Sequence, residues 1–149
     1  MKTYSGDIEH LDQNQVFVFG SNTEGRHGKG AALIARQKFG AIYGQADGRQ
    51  GSSYAIITKN LKQINQPSIT PEEIITQIKL LYVYARLSNE EFFVAYKGHG
   101  TLLNGYTPQQ MAKMFACEDI PDNMVFEETF ANLIKDIQNE RTRWTKNTI

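Results

Sequence analysis

The chain is short of several features that would direct its reading at once. Its 149 residues include one cysteine, Cys117, so no disulfide can close within it. A lone thiol fits a reducing compartment. Lysine and arginine together number 16, as do aspartate and glutamate, giving a formal charge of zero. That balance argues against a broad nucleic-acid or membrane surface. No apolar run is long enough to cross a bilayer. The opening MKTYSGDIEHLDQNQ lacks the apolar centre of a signal peptide. The three histidines have no metal-ligand spacing, so neither a metal nor a cofactor is expected. No repeat and no low-complexity segment interrupts the pattern. What remains is one soluble, cytoplasmic domain over residues 1–149, long enough for a proper core.

What is present is an alternation of apolar strands and helix signals. Val16, Phe17, Val18 and Phe19 form a continuous β-prone run, which suits a central strand covered on both faces. A helix over residues 31–39 should follow, stopped at Gly40. Residues 40–53 hold three more glycines and read as a long loop. Residues 54–58 (YAIIT) form a second buried strand. Thr70, Pro71 and Glu73 make a helix start with a capping box, and the helix should reach about Leu87. Its buried side should carry Ile74, Ile75, Ile78, Leu81, Tyr82 and Ala85. A third strand is expected at residues 92–96. Thr107 and Pro108 open a short helix to about Ala116, and Met124, Val125 and Phe126 suit a fourth strand. Residues 127–144 read as a charged C-terminal helix. The alternation implies an α/β sandwich around a largely parallel sheet. The aromatics fall mainly in strands, which argues for a core role over nucleic-acid stacking.

Two glycine-rich loops leave strands at what should be one edge of that sheet. The first runs from Gly20 through Ser21, Asn22, Gly25, His27, Gly28 and Lys29 to Gly30. The second contains Lys97, Gly98, His99, Gly100, Thr101, Asn104 and Tyr106. Ligands of open α/β sheets sit beyond the carboxyl ends of the strands. Free amides at a helix start suit an anion there, usually a phosphate. The first loop has neither Walker spacing nor a complete G-x-G-x-x-G, since position 33 is leucine. A P-loop nucleotidase and a dinucleotide oxidoreductase are therefore disfavoured.

Residues 17–59, with FGSN, then GRHGKGAA, then YAIITK, resemble a bacterial and phage family related to macro domains. Looser matches follow at Gly98-His99-Gly100, Gly105-Tyr106-Thr107 and Met114-Phe115. The resemblance covers about residues 16–130, with residues 127–149 as a helical extension. It implies a three-layer α/β/α sandwich that binds ADP-ribose or a similar NAD-derived nucleotide. It places Asn22 near the distal ribose and Gly28, Lys29 and Gly30 at the diphosphate, with Ser21 and Gly25 also among the expected ligand-binding residues. Gly98, His99, Gly100 and Thr101 would close over the ligand, with Tyr106 stacking on a ring or packing beneath the loop. Asp7, in Gly6-Asp7-Ile8, would read the adenine amino group or else be an ordinary turn residue.

Three activities follow as expectations. The first is a binding module for an ADP-ribose-like nucleotide. The second is a hydrolase that removes ADP-ribose or a terminal phosphate, with Asn22 orienting water and His27 as base. The third is a phage or host interaction protein that has lost its ligand. His27 and Asn22 each have a plain alternative as turn-forming residues. Glu24 and Asp47 are the nearby acids that could activate water, but neither is paired at a readable spacing. Arg49 is expected at the surface, and Cys117 is read as structural.

Overall fold

The computed structural model describes residues 1–148, with side chains as far as Thr145. The chain runs β1 (Lys2–Tyr4), β2 (Gln15–Asn22), α1 (Gly30–Lys38), β3 (Gly48–Gln50), β4 (Ser53–Lys59) and α2 (Pro71–Arg86). It continues through β5 (Glu91–Val94), α3 (Pro108–Phe115), β6 (Met124–Glu127) and α4 (Glu128–Thr148). The strands make one sheet in the order β1-β6-β5-β2-β4-β3. Five of them are parallel, and β3 alone runs antiparallel, against β4. The protein is an α/β fold with a mixed, mostly parallel sheet.

β2 is central because its sequence tolerates burial on both faces. Successive side chains of a strand point to opposite faces. Val16 and Val18 enter the larger core with Ile56, Phe92 and residues of α2, α3 and α4. Phe17 and Phe19 enter the smaller core with Ala32, Ala35 and Phe39 from α1 and its end. All four strand residues are at most 2% exposed. Each such burial is worth roughly 1.5–3 kcal/mol before chain entropy is counted.

The helix starts follow from their caps. Thr70 accepts from the Glu73 amide at 3.2 Å, although the Glu73 side chain does not complete the expected capping box. Thr107 and Gln110 make the reciprocal box, at 3.1 and 2.8 Å. On α2 the expected buried residues are buried, apart from Ile75, which is half-buried. α4 is more than an extension. Phe130, Ala131 and Ile134 are fully buried, so its first turns complete the larger core.

Two strands have no apolar signal. β1 is Lys-Thr-Tyr at one sheet edge, and β3 is Gly-Arg-Gln at the other, inside the segment read as loop. Short polar edge strands gain their pairing from the neighbour's backbone and carry little pattern of their own.

Candidate functional site

A cleft of about 500 Å³ lies at the carboxyl end of β2, between the ends of its neighbours β4 and β5. Its floor is Gly20, Ser21 and Asn22 of β2, Thr58 and Lys59 of β4, and Ala95 and Tyr96 just past β5. One wall is Arg26, Gly28, Lys29 and the start of α1. The other is Thr101, Leu102, Leu103 and Asn104. The two glycine-rich loops thus face each other across one space.

Asn22 builds the first wall. Its Oδ1 accepts from the amides of Arg26 at 2.9 Å and Glu24 at 3.3 Å. Its Nδ2 donates to the Arg26 carbonyl at 2.9 Å. The side chain is therefore committed to its own loop. Gly25 has φ +64°, and a Cβ there would stand 2.6 Å from the carbonyl carbon of Gly44. Only glycine meets both demands. Gly25 packs this loop on its neighbour and does not line the cleft.

His27 lies behind the wall, fully buried, its ring edge-on to Phe19 at 5.2 Å. Nε2 is 3.3 Å from Ser21 Oγ, and Nδ1 has no hydrogen-bond partner. Burial pushes the imidazole pKa below its ordinary value, and the charge of Arg36 adds to this, while the backbone of Gln45 pulls the other way. His27 does not line the cleft, so the expected general base is separated from any ligand there.

The start of α1 is chemically open. Lys29, its N-cap, has extended backbone and makes no side-chain cap. The first turn holds no acidic residue. The other helix starts are filled: α2 by Thr70, α3 by Thr107 and α4 by Glu127. Glu127 accepts from the amides of Thr129 at 2.8 Å and Phe130 at 3.2 Å. Burial would raise its pKa, but these hydrogen bonds prevail and hold its carboxyl below the usual range. The α1 amides therefore present unmet partial positive charge to the cleft. Gly28 beside them is open, since a Cβ there would meet nothing within 4 Å.

The second loop divides. Gly98 turns away from the cleft. Its amide donates to Thr129 Oγ1 at 2.9 Å and Glu127 Oε1 at 3.3 Å. A Cβ on Gly98 would lie 2.4 Å from the Thr129 carbonyl oxygen. His99 and Gly100 are exposed and do not line the cleft. Tyr106 is buried beneath the loop, donating its hydroxyl to the Ile69 carbonyl and its amide to Asn104 Oδ1 at 3.0 Å. Asp7 also lies outside the cleft lining. Its exposed carboxylate is paired with Lys97, which holds its pKa below the ordinary value.

Of the expected site residues, the fold brings Ser21, Asn22, Gly28, Lys29, Gly30 and Thr101 to the cleft. It leaves Asp7, Gly25, His27, Gly98, His99, Gly100 and Tyr106 outside the lining. It adds Arg26, Lys59, Thr58, Tyr96 and Asn104. Lys59 was visible as the end of the YAIITK run. Tyr96 read as an ordinary core aromatic.

Arg26, Lys29 and Lys59 put three cationic side chains on a cleft whose described lining contains no carboxylate. Glu24, the nearest acid in sequence, is paired with Arg26 at 3.2 Å and stays out of the lining. Arg49 is engaged elsewhere, with Glu90 at 2.6 and 2.9 Å. The cleft thus presents positive charge and an uncapped helix start on one surface. Compared with known proteins, the chain matches no family model, no curated protein and no solved structure.

Proposed function

We propose that the chain is a macro domain-like module that binds ADP-ribose or a related NAD-derived nucleotide diphosphate in this cleft. One observation carries the reading. The uncapped start of α1 opens onto a space of about 500 Å³ lined by Arg26, Lys29 and Lys59, with no carboxylate in the described lining. A space of that size suits a small organic ligand. A helix start contributes about 0.3–1 kcal/mol toward an anion, and up to ~2 kcal/mol when partly buried. The resemblance of residues 17–59 to the macro domain-related family narrows the anion to a nucleotide diphosphate. The single cysteine fits a cytoplasmic setting.

The hydrolase reading gains no support from the lining. No carboxylate stands in the described lining, His27 is walled off, and the Asn22 amide is already engaged. The ligand-free interaction protein would need a blocked or wholly apolar cleft, and this one is open and has a polar floor. Isothermal titration with ADP-ribose tests the reading. Saturable heat is expected. No heat and no thermal shift at millimolar ligand would sink it.

A further inference from the structure

Tyr96 sits in an aromatic cluster with Phe115 and Phe130, at ring separations of 5.9 Å. Phe126 joins the same cluster. A fourth phenylalanine would fill this place without adding a polar atom. The chain has a tyrosine instead, and its hydroxyl has no hydrogen-bond partner although the residue is only 8% exposed. Buried polar groups left unmet are uncommon and costly, so each calls for a reason. Tyr96 belongs to the cleft floor, and its oxygen lies 2.5 Å from where a Cβ on Gly20 would stand. Glycine at position 20 is thus what leaves room for the hydroxyl. Thr58 and Asn104 are its polar neighbours and pull its pKa down against the burial that raises it, but neither reaches hydrogen-bond geometry with the hydroxyl. Asn104 Nδ2 has only the Met111 sulfur at 3.6 Å, a weak acceptor.

Several acceptors nearby already have a donor, and Thr58 Oγ1 gives its own hydrogen to the Ser21 carbonyl at 3.4 Å. Asn104 Oδ1 receives the Tyr106 amide, and Asn22 Oδ1 receives two amides. Burial raises the phenol to about 12, so it remains a donor at neutral pH. The floor therefore holds two under-used hydrogen donors, the Tyr96 hydroxyl and Asn104 Nδ2, in a cleft also lined by Arg26, Lys29, Lys59 and the open start of α1.

Resting on the anion-binding reading of the cleft, we propose that Tyr96 is a ligand-binding residue. It donates its phenolic hydrogen to a phosphoryl oxygen of the bound anion, with Asn104 Nδ2 as a second donor. The hydroxyl oxygen is covered by its neighbours, so the contact requires a local shift of the floor side chains. Turning the Asn104 amide toward the ligand gives up the contact to sulfur and loosens the hydrogen bond that Oδ1 accepts from the Tyr106 amide at 3.0 Å.

The test compares wild type with Tyr96→Phe, using thermal melting without ligand and titration with ADP-ribose and with pyrophosphate. The variant should melt at the same temperature or higher, because the hydroxyl has no internal partner. Its affinity for both probes should fall about tenfold or more, the usual effect of losing a hydrogen bond to a charged group. A variant melting several degrees lower would show that the hydroxyl is satisfied inside the fold, and would overturn the assignment. Equal affinity in wild type and variant would overturn it while leaving the anion-binding cleft intact. Wild type that binds neither probe would overturn both.

Discussion

The Gly98 amide donates to Thr129 Oγ1 at 2.9 Å, and this bond ties the start of the second loop to the first turn of α4. A side chain on Gly98 would collide with the Thr129 carbonyl at 2.4 Å. Backbone cannot yield as a flexible side chain does. Gly98→Ala should therefore cost about 1–3 kcal/mol of stability, as overpacking does. Gly28→Ala should stay within about 0.5 kcal/mol of wild type, because its surroundings are open. Urea unfolding of the two variants checks the contrast.

His27 should make stability depend on pH near neutrality. Its pKa in the fold is lowered, chiefly by burial. The unfolded chain, with an ordinary value of about 6.5, binds the proton first as pH falls. The contribution is complete above about pH 6.5 and is lost as pH drops from there through the folded value. Wild type should lose stability between pH 7.5 and 5.5, and His27→Phe should lose less. Denaturant midpoints at the two pH values measure the difference. An equal loss in both would remove His27 as the source.

Asn22 separates loop architecture from ligand charge. Asn22→Ala removes three hydrogen bonds from the first wall and should cost about 1–2 kcal/mol. Asn22→Asp keeps the two acceptor contacts, exchanges the bond donated to the Arg26 carbonyl for an oxygen–oxygen contact, and places an anion in a cationic cleft. It should retain more stability than the alanine variant yet bind ADP-ribose about tenfold or more weakly than wild type. Unfolding and titration on the same samples test the pair.

Lys29 and Lys59 should serve binding more than folding. Neither makes an ion pair among the described residues. Replacing either by alanine should weaken ADP-ribose binding about 3–10-fold at low salt, with the gap narrowing as salt rises. The unfolding midpoint should not move. Titration at two ionic strengths reads the effect, and a salt-independent loss would point away from charge.

Asp7 lies apart from the cleft lining and faces Lys97. Asp7→Asn should leave ADP-ribose affinity unchanged. A clear loss would restore the adenine-reading role that its place in the sequence suggested.

The elements that were legible in the sequence are those whose residues act locally. The four apolar residues of β2 announced a doubly covered strand, and Thr107 with Gln110 announced a helix start. β1 and β3 stayed hidden because three polar residues at a sheet edge take their conformation from the partner strand. At the site, glycines were legible as a class but not by role. Gly28 opens the cleft, Gly25 packs one loop on another, and Gly98 anchors to α4, though all three look alike in sequence.

By itself the sequence determined the α/β alternation, the central place of β2 and the meeting of two glycine-rich loops near one helix start. Periodicity and capping are short-range, so neighbouring residues suffice to express them. Only the tertiary structure decided which side chains reach the cleft. It put His27 behind the wall, brought Lys59 and Tyr96 to the floor, and filled every helix start except that of α1. Those outcomes depend on contacts between residues far apart in the chain, such as Gly98 with Thr129 and Gly20 with Tyr96. No local pattern records them.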